Sequence, residues 1–189
     1  MKYNLNEKQT KGAKRVLSAL GSALLKLLCE KPYESITVGE ICNVAEYPRA
    51  TFYNYFDDKD DILNYYWYKI ESNLTLTYHE EDEPKDLITE CVGSLYDMAE
   101  KHFESLKMLA RHNPMNGYFL MSCRIFLTDK IKCLISNSTI KKSSAVPTDI
   151  LAEYYISTLL IVLFKCLSYE NQPEIETVKK YLFLLINGK

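Results

Sequence analysis

Apolar residues recur along this chain mainly at helical spacing. The first stripe, between residues 13 and 30, repeats every three or four positions: Val16, Leu17, Leu20, Leu24, Leu27 and Leu28. This spacing places the apolar side chains on one face of an amphipathic helix. Strand-like alternation is rare, and glycine and proline number only six each. The pattern therefore predicts an all-α protein of about nine helices.

Three more helices are predicted after the first one, which ends at Lys31-Pro32. Thr37 precedes Glu40 by three residues, the spacing of a capping box, and predicts a helix over residues 38–44. Pro48 suits the first turn of the next helix, predicted over residues 48–56. Asp58 can cap a fourth helix that runs to about residue 78. The acidic segment at residues 79–84 breaks the helical pattern. The fourth helix is predicted to bridge two domains, residues 1–57 and residues 58–189, and belongs to the second.

The second domain also has helical patterns throughout. Helices are predicted after Pro84, from Asn113-Pro114, over residues 148–169 and over residues 174–186. Residues 136–146 form a polar loop rich in lysine and serine. No internal repeat or low-complexity tract is present, so this domain is predicted to be a single helical unit.

Charge and cysteine usage narrow the class of protein. The formal net charge is −2, but the first 31 residues carry seven lysines and arginines against two glutamates, so a polyanion would meet the amino end. Six cysteines without a C-x-x-C pair favour reduced, buried thiols. Residues 1–11 are polar, so no signal peptide is expected, and Lys165 interrupts the longest apolar run, ISTLLIVLFKCL. We expect a cytoplasmic protein that does not enter a membrane.

The segment YPRATFYNYF, residues 47–56, predicts a nucleic-acid contact. Two short helices joined by about four residues, behind a longer supporting helix, describe a helix-turn-helix, whose second helix enters the major groove. Phe52 and Phe56 share one face and are predicted to close the core with Leu20, Ile41 and Ala45. Arginine pairs with guanine, asparagine with adenine, and an alanine methyl or ring edge with the thymine methyl. The predicted base-reading residues are accordingly Arg49, Ala50, Tyr53 and Asn54, with Thr51 in the same DNA-binding set.

Phosphate contacts are predicted from the flanking helix starts. Thr37 and Lys59 lie where a hydroxyl, backbone N–H groups and an ammonium can hold phosphates, and Tyr55 can add a hydroxyl. Two other interpretations stay open. The aromatic helix can be an ordinary packing helix, and Cys42, just before the turn, can be a redox switch rather than a buried thiol.

These residues also carry a family resemblance. TVGEICNVA (37–45), RATFYNYF (49–56) and DKDDIL (58–63) resemble the DNA-binding domain of the tetracycline-repressor (TetR/AcrR) family. The resemblance implies an all-helical homodimer with an amino-terminal DNA-binding domain and a larger domain that dimerises and usually binds a small inducer. Glu46-Tyr47-Pro48 replaces the Gly-Val-Ser that the family often has in the turn. The chain from His102 onward, with Asn113-Pro114 and Phe119-Leu120, resembles a carboxy-terminal domain of Gram-positive members.

Two further sets of residues are predicted in the second domain. A pocket for a small hydrophobic ligand would be lined by aromatic side chains, unless these only fill the core: Trp67, Phe103, Tyr118, Phe119, Phe126 and Tyr155. A four-helix dimer seam would use the last two helices, through Tyr154, Thr158, Leu159, Val162, Val178, Leu182 and Leu185.

No catalytic or metal-binding motif is present, so no enzyme activity, cofactor or metal is expected. The function predicted is a dimeric, ligand-responsive transcriptional repressor that binds a pseudo-palindromic operator. The alternative is a ligand-independent DNA-binding protein whose second domain only dimerises or binds a protein partner.

Overall fold

The described part of the chain is entirely helical. The computed structural model describes residues 10–73, 101–137, 146–168 and 173–187. These residues contain eight α-helices, one 3-10 turn and no strand. In chain order they are α1 (Lys11–Leu28), the 3-10 turn (Tyr33–Ser35), α2 (Val38–Ala45), α3 (Arg49–Tyr53), α4 (Lys59–Asn73), α5 (Phe103–His112), α6 (Tyr118–Asn137), α7 (Thr148–Ser168) and α8 (Ile175–Asn187).

The all-α prediction is confirmed, and eight described helices are close to the nine predicted. The helix predicted after Pro84 lies outside the described residues. Helix α1 begins two residues earlier than predicted, because the Thr10 hydroxyl caps it by accepting the Ala13 N–H at 3.1 Å. It also ends two residues earlier, with Cys29 as its C-cap.

Helix α2 begins with the capping box that the sequence predicted. The Thr37 hydroxyl accepts the Glu40 N–H at 3.3 Å, and the Glu40 carboxylate accepts the Thr37 N–H at 2.9 Å. The cap on α4 is also confirmed, because Asp58 Oδ1 accepts the N–H groups of Asp60 and Asp61 at 2.9 and 3.0 Å. Local hydrogen bonds thus determine where both helices begin.

Helix α3 is shorter than predicted. It covers Arg49–Tyr53, and Pro48 is the N-cap rather than a helical residue, with φ −60° and ψ 148°. The Pro48 carbonyl still accepts the Thr51 and Phe52 N–H groups. The helix gives way to a turn at Asn54, whose N–H bonds Thr51 O three residues back instead of four.

One core cluster joins the amino-terminal helices to the second domain. Leu20, Ile41, Phe52 and Phe56 are fully buried in it, as predicted. Leu109, Phe119 and Leu120 belong to the same cluster. The first core cluster therefore runs across the predicted domain boundary. Helix α4 packs within it against the amino-terminal helices and against residues of the second domain.

The second core cluster lies between α6, α7 and α8, and it includes part of the predicted dimer seam. Four of the seven predicted seam residues are at most 8% exposed within one protomer: Leu159, Val162, Val178 and Leu182. They pack into the protomer's own core, and their contact with a partner stays a prediction. Tyr154 and Leu185 are about half exposed, at 48% and 51%, and Thr158 is half-buried.

Helix α7 is more apolar than the sequence analysis recognised. Its residues Thr148–Leu167 have a mean hydropathy of 1.8, long and apolar enough to cross a membrane by length and composition alone. In the structure the inner face of this helix packs on α6 and α8. Its outer face keeps Ile150, Tyr154 and Ile161 about half exposed.

Candidate DNA-binding site

The recognition helix α3 is held by one buried face and presents the other to solvent. Phe52 is fully buried, and its ring lies 5.6 Å from that of Phe56 between centroids. Arg49, Ala50 and Asn54 are exposed, and Tyr53 is 45% exposed. The four side chains predicted to read bases therefore lie on the exposed side of the helix.

The other two predicted residues near α3 are less exposed. Thr51 is half-buried, and the half-buried ring of Tyr55 packs against the first core cluster. Tyr55 therefore points partly inward, whereas the sequence predicted that it points outward to DNA.

The turn between α2 and α3 depends on a left-handed residue that is not glycine. Glu46 has φ 57° and ψ 36°, the one positive φ of a non-glycine residue in the described ranges. A non-glycine side chain in this region costs of the order of 1 kcal/mol. The Tyr47 N–H, bonded to Cys42 O at 3.0 Å, closes the α2 end and holds the turn in place. The departure from the family's usual glycine therefore keeps a left-handed turn geometry.

Arg49 folds back onto α2 at Gly39. A Cβ atom built on Gly39 would lie 2.3 Å from Arg49 Nη2, 3.1 Å from Cζ and 3.3 Å from Nε. The guanidinium therefore lies directly against the backbone of the α2 amino end. The sequence analysis did not pair these two residues, because they are ten positions apart and belong to different helices.

An exposed polar network surrounds the start of α2. The Glu40 carboxylate accepts hydrogen bonds from the Lys31 ammonium and from the Thr37 hydroxyl, the latter at 2.8 Å. The Lys31 hydrogen bond is the largest cause, followed by Thr37, of a Glu40 pKa lowered to about 2. Glu40 is thus ionised at neutral pH and fixes the Thr37 hydroxyl at the helix end, where a phosphate can approach.

Lys59 differs from its predicted orientation. Its ammonium donates to the carbonyls of Tyr33 (2.8 Å), Glu34 (3.2 Å) and Ile36 (3.0 Å), and it lies 4.4 Å from the centre of the Tyr33 ring. An ammonium has three N–H donors, and all three are used here. The expectation that Lys59 points to the DNA backbone is corrected: it binds the carbonyls around the 3-10 turn.

The same 3-10 turn receives contacts from the second domain, which sequence reasoning missed. Asn113 is 1% exposed, and its amide accepts the Tyr33 N–H at 2.9 Å and donates to Leu28 O at 3.0 Å and Leu109 O at 3.1 Å. The sequence predicts Asn113 only as part of a helix start. That helix instead begins at Tyr118. The sequence shows only an Asn-Pro pair at this point, and such a pair does not indicate which groups the buried amide bonds.

Tyr118 makes the second link to the turn. Its ring stacks on that of Tyr33 at 5.3 Å and 11°, and its N–H donates to Glu34 Oε1 at 2.8 Å. Tyr33 also donates its hydroxyl to Asp60. Burial first, and then the Asp60 hydrogen bond, raise the Tyr33 pKa well above its ordinary value, so the hydroxyl stays protonated.

Tyr118 also lines an open groove of about 460 Å³ between α4 and α6. Three of the six predicted ligand residues line this groove: Trp67, Tyr118 and Phe126. Phe119 lies behind it in the core, its ring 5.4 Å from that of Trp67. Phe103 and Tyr155 are not among the lining residues, so the structure does not bring the whole predicted set together.

The groove has both apolar and polar walls. Trp67 and Phe126 stack at 5.7 Å, and the Trp67 indole N–H donates to Ser122 Oγ at 2.7 Å. Asp129 and Lys130 stand at one end of the lining. The described residues contain no cluster of His, Cys, Asp or Glu that could hold a metal.

The described cysteines do not form a reactive centre beside the DNA-binding face. Cys42 is 2% exposed, and burial raises its pKa, against a smaller opposing effect of Arg49. A thiol with a raised pKa is a poor nucleophile at neutral pH, which argues against Cys42 as a redox switch. Cys133 is exposed, contrary to the expectation of buried thiols.

Comparison with known proteins identifies the amino-terminal helices. Residues 21–66 match the family model for bacterial regulatory proteins of the tetR family. The segment from α1 to α4 is therefore a TetR-family helix-turn-helix domain, as the resemblance implied. A comparison with curated proteins gives no significant match.

Solved structures extend the likeness to the whole fold. A putative TetR-family regulator from Syntrophomonas wolfei is 23% identical with a TM-score of 0.67, over 93% of this chain and 96% of that one. NalD from Pseudomonas aeruginosa, described as the secondary repressor of the MexAB-OprM multidrug efflux pump, is 13% identical with a TM-score of 0.65 over 93% and 96%. FadR from Bacillus halodurans, a fatty acid degradation regulator, is 15% identical with a TM-score of 0.61 over 93% and 98%. Residues 21–66 thus carry the TetR-family domain, and the chain as a whole shares the fold of these TetR-family structures. Its resemblance to a Gram-positive carboxy-terminal type stays a prediction.

Proposed function

We propose that this protein is a cytoplasmic, homodimeric transcriptional repressor that binds a pseudo-palindromic DNA operator and is released by a small hydrophobic ligand. The observation that carries the proposal is the exposed face of α3. Arg49, Ala50, Tyr53 and Asn54 are presented to solvent on a helix that Phe52 anchors in the core. This is the arrangement by which a helix-turn-helix protein inserts side chains into the major groove.

The proposed DNA contacts are of two kinds, contacts to bases and contacts to phosphates. Arg49 and Asn54 have the hydrogen-bonding groups that distinguish guanine and adenine, and Ala50 and Tyr53 offer apolar contacts to thymine. Thr37 at the start of α2 and Tyr55 are proposed phosphate contacts, Thr37 by turning its hydroxyl from the Glu40 carboxylate to the phosphate. Lys59 leaves this set, because its donors bind the turn.

The homodimer is supported by an apolar face that one protomer leaves exposed on α7 and α8. Its members are all 44–56% exposed: Ile150, Tyr154, Ile161, Tyr181, Phe183, Leu184 and Leu185. The two helices are joined there by a hydrogen bond from the Tyr154 hydroxyl to Leu185 O at 2.9 Å. A second copy of the chain would cover this face and place two α3 helices on one duplex, which a palindromic operator requires.

The groove between α4 and α6 is the proposed ligand site. A volume of about 460 Å³ suits a small organic molecule, and Trp67, Tyr118 and Phe126 would contact apolar or aromatic parts of it. A ligand that moves Tyr118 would act on the 3-10 turn through the Tyr33 stack and the Glu34 hydrogen bond. Because this turn connects α1 to α2, the displacement would shift the population of DNA-competent dimers.

A repressor role is supported by the fold shared with NalD, which is described as a repressor. The alternative is a ligand-independent DNA-binding protein, which a solidly packed second domain would favour. A closed apolar cavity with convergent polar groups would favour the ligand-responsive form, and the groove beside Tyr118, which is open, offers apolar walls and a few polar groups.

The test is selection of bound duplexes from a library of randomised double-stranded DNA, using the full-length protein. We expect enrichment of one two-fold symmetric sequence, with half-sites separated by about one helical turn or a multiple of it. Electrophoretic mobility of the selected duplex then gives affinity and stoichiometry. Recovery of unrelated sequences with equal affinity would refute specific DNA recognition, and an asymmetric site bound by one protomer would refute the dimeric model.

A further inference from the structure

Gly39 stands inside a helix, where glycine is unfavourable. It is the second residue of α2, and its φ is not in the positive region where glycine is needed. Glycine has a lower helix propensity than alanine. The backbone therefore gives no reason for glycine at this position, and the reason must lie in the space around it.

That space is occupied by the guanidinium of Arg49. Three of its atoms, Nη2, Cζ and Nε, lie 2.3, 3.1 and 3.3 Å from the position that a Cβ on residue 39 would take. Gly12 is a matched case in α1, since it is also the second residue of its helix. A Cβ at Gly12 would meet only Thr10 Oγ1, at an ordinary 4.0 Å. The close approach at Gly39 is thus a property of this site and not of helix starts in general.

The contact limits where the guanidinium can be. Arg49 is the first residue of α3, so its side chain crosses from the recognition helix to the amino end of α2. An arginine side chain whose position is restricted before binding loses less rotamer freedom on binding. The α2 amino end carries the positive end of the helix dipole, which does not attract a guanidinium, so the open space at Gly39 is what allows this placement. The guanidinium and the dipole together give this end of α2 a positive field that faces the approaching DNA.

We infer that Gly39 is a positioning residue for DNA recognition: because it has no side chain, the Arg49 guanidinium can lie against α2, and this placement determines which base pair Arg49 reads. The inference rests on the proposed function and assigns a role to a residue that does not itself need to touch DNA. It predicts that a single methyl group at position 39 displaces the guanidinium and changes base preference.

The experiment compares Gly39→Ala, Arg49→Ala and the double variant with the wild type, and Gly12→Ala is the control. The probe is the duplex that the wild-type protein selects from randomised DNA, and binding is measured by fluorescence anisotropy. The base pair read by Arg49 is defined as the one at which Arg49→Ala loses discrimination among the four possible pairs.

We expect Arg49→Ala to bind the selected duplex about 5- to 150-fold more weakly, as for loss of a bidentate base contact. Gly39→Ala should lose about 3- to 30-fold and lose discrimination at the same base pair. The double variant should bind like Arg49→Ala alone, because both changes remove one interaction. Gly12→Ala should bind like the wild type.

Gly39→Ala with wild-type affinity and wild-type discrimination would overturn the inference, and so would a double variant whose loss is the product of the two single losses. Thermal unfolding provides the second readout. If Gly39→Ala lowers the melting temperature, the double variant should restore it, since trimming Arg49 removes the clash. A double variant as unstable as the single one would place the clash elsewhere and also overturn the inference. Failure of the proposed function would be seen earlier, as a wild-type protein that selects no duplex.

Discussion

Substitutions of Asn113 test how the amino-terminal helices are joined to the second domain. Its side-chain amide is 1% exposed and makes three hydrogen bonds, to the N–H of Tyr33 and to the carbonyls of Leu28 and Leu109. Leu28 is the last residue of α1, and Tyr33 is the first residue of the 3-10 turn that follows. Asn113→Ala removes all three bonds without adding a group that could replace them.

The size of the effect follows from the groups left behind. Leu109 O keeps the backbone N–H of residue 113 as a donor at 2.9 Å, so the main losses are at the Tyr33 N–H and Leu28 O. A buried polar group left without its partner costs about 1–3 kcal/mol, so the variant should lose roughly 2–6 kcal/mol of unfolding free energy. For a chain of this size that corresponds to a melting temperature lower by about 5–20 °C.

Asn113→Asp makes the test more specific. Its carboxylate can still accept the Tyr33 N–H, but it has no donor for Leu28 O and Leu109 O. Two carbonyls facing a buried carboxylate disfavour its charged form and raise its pKa. The folded variant then binds a proton more tightly than the unfolded chain, so its stability should rise as the pH is lowered from about 7 to 5.

Thermal unfolding followed by circular dichroism measures both variants, with Asn116→Ala, an exposed residue of the same loop, as the control. We expect Asn116→Ala to melt like the wild type. A fall of less than about 2 °C for Asn113→Ala would refute the reasoning, because it would mean that the three bonds contribute nothing net. An Asp variant as stable as the wild type at neutral pH would refute the donor role of the amide.

Three further variants test other parts of the structure. The Glu40 pKa of about 2 lies below the ordinary value of 4.5, so its stabilisation is present above pH 4.5 and is lost as the pH falls towards 2. Glu40→Gln should therefore melt below the wild type at neutral pH and converge with it in acid, measured by thermal scans. Lys59→Met should lower the unfolding free energy by about 1.5–3 kcal/mol in urea unfolding, since charged hydrogen bonds to the turn are lost. The salt dependence of its DNA binding should stay that of the wild type. Leu184→Glu, on the exposed apolar face, should give a folded protein whose mass by light scattering is near 22.0 kDa rather than twice that value.

Each of these has a result that contradicts it. A Glu40→Gln deficit that persists at pH 2 would separate the stabilisation from ionisation of this carboxylate. A salt slope flattened by about one unit in Lys59→Met would return the ammonium to the phosphate contacts. A Leu184→Glu protein that remains a dimer, like the control Lys180→Ala on the same helix, would place the seam elsewhere.

Much of the helix-turn-helix could be predicted from the sequence, because the residues that determine where its helices begin and which side chains are buried lie close together in the chain. The Thr37 and Glu40 pair are three residues apart and form the capping box that their spacing predicts. The burial of Phe52 and Phe56 follows from helical periodicity. Lys59 was oriented wrongly because its partners are backbone carbonyls more than twenty residues earlier in the chain, which no local pattern shows.

The second domain shows the limit of periodicity more clearly. Apolar residues on α7 occur around most of the helix, so the sequence could not separate the face that meets α6 and α8 from the face that is exposed. Leu159 and Val162 were therefore assigned to a partner although they pack within the protomer, and Ile161, which is 49% exposed, was missed. Asn113 was missed for a different reason, because the partners of a buried amide depend on three-dimensional packing alone.

A crystal structure of the protein with its selected duplex would test the central claim most directly. Our account predicts that α3 lies in the major groove, with the Arg49 guanidinium beside Gly39 and within about 3 Å of a base edge, and that a partner protomer covers α7 and α8. A complex in which α3 faces away from the DNA, or in which Arg49 contacts only phosphates, would contradict it.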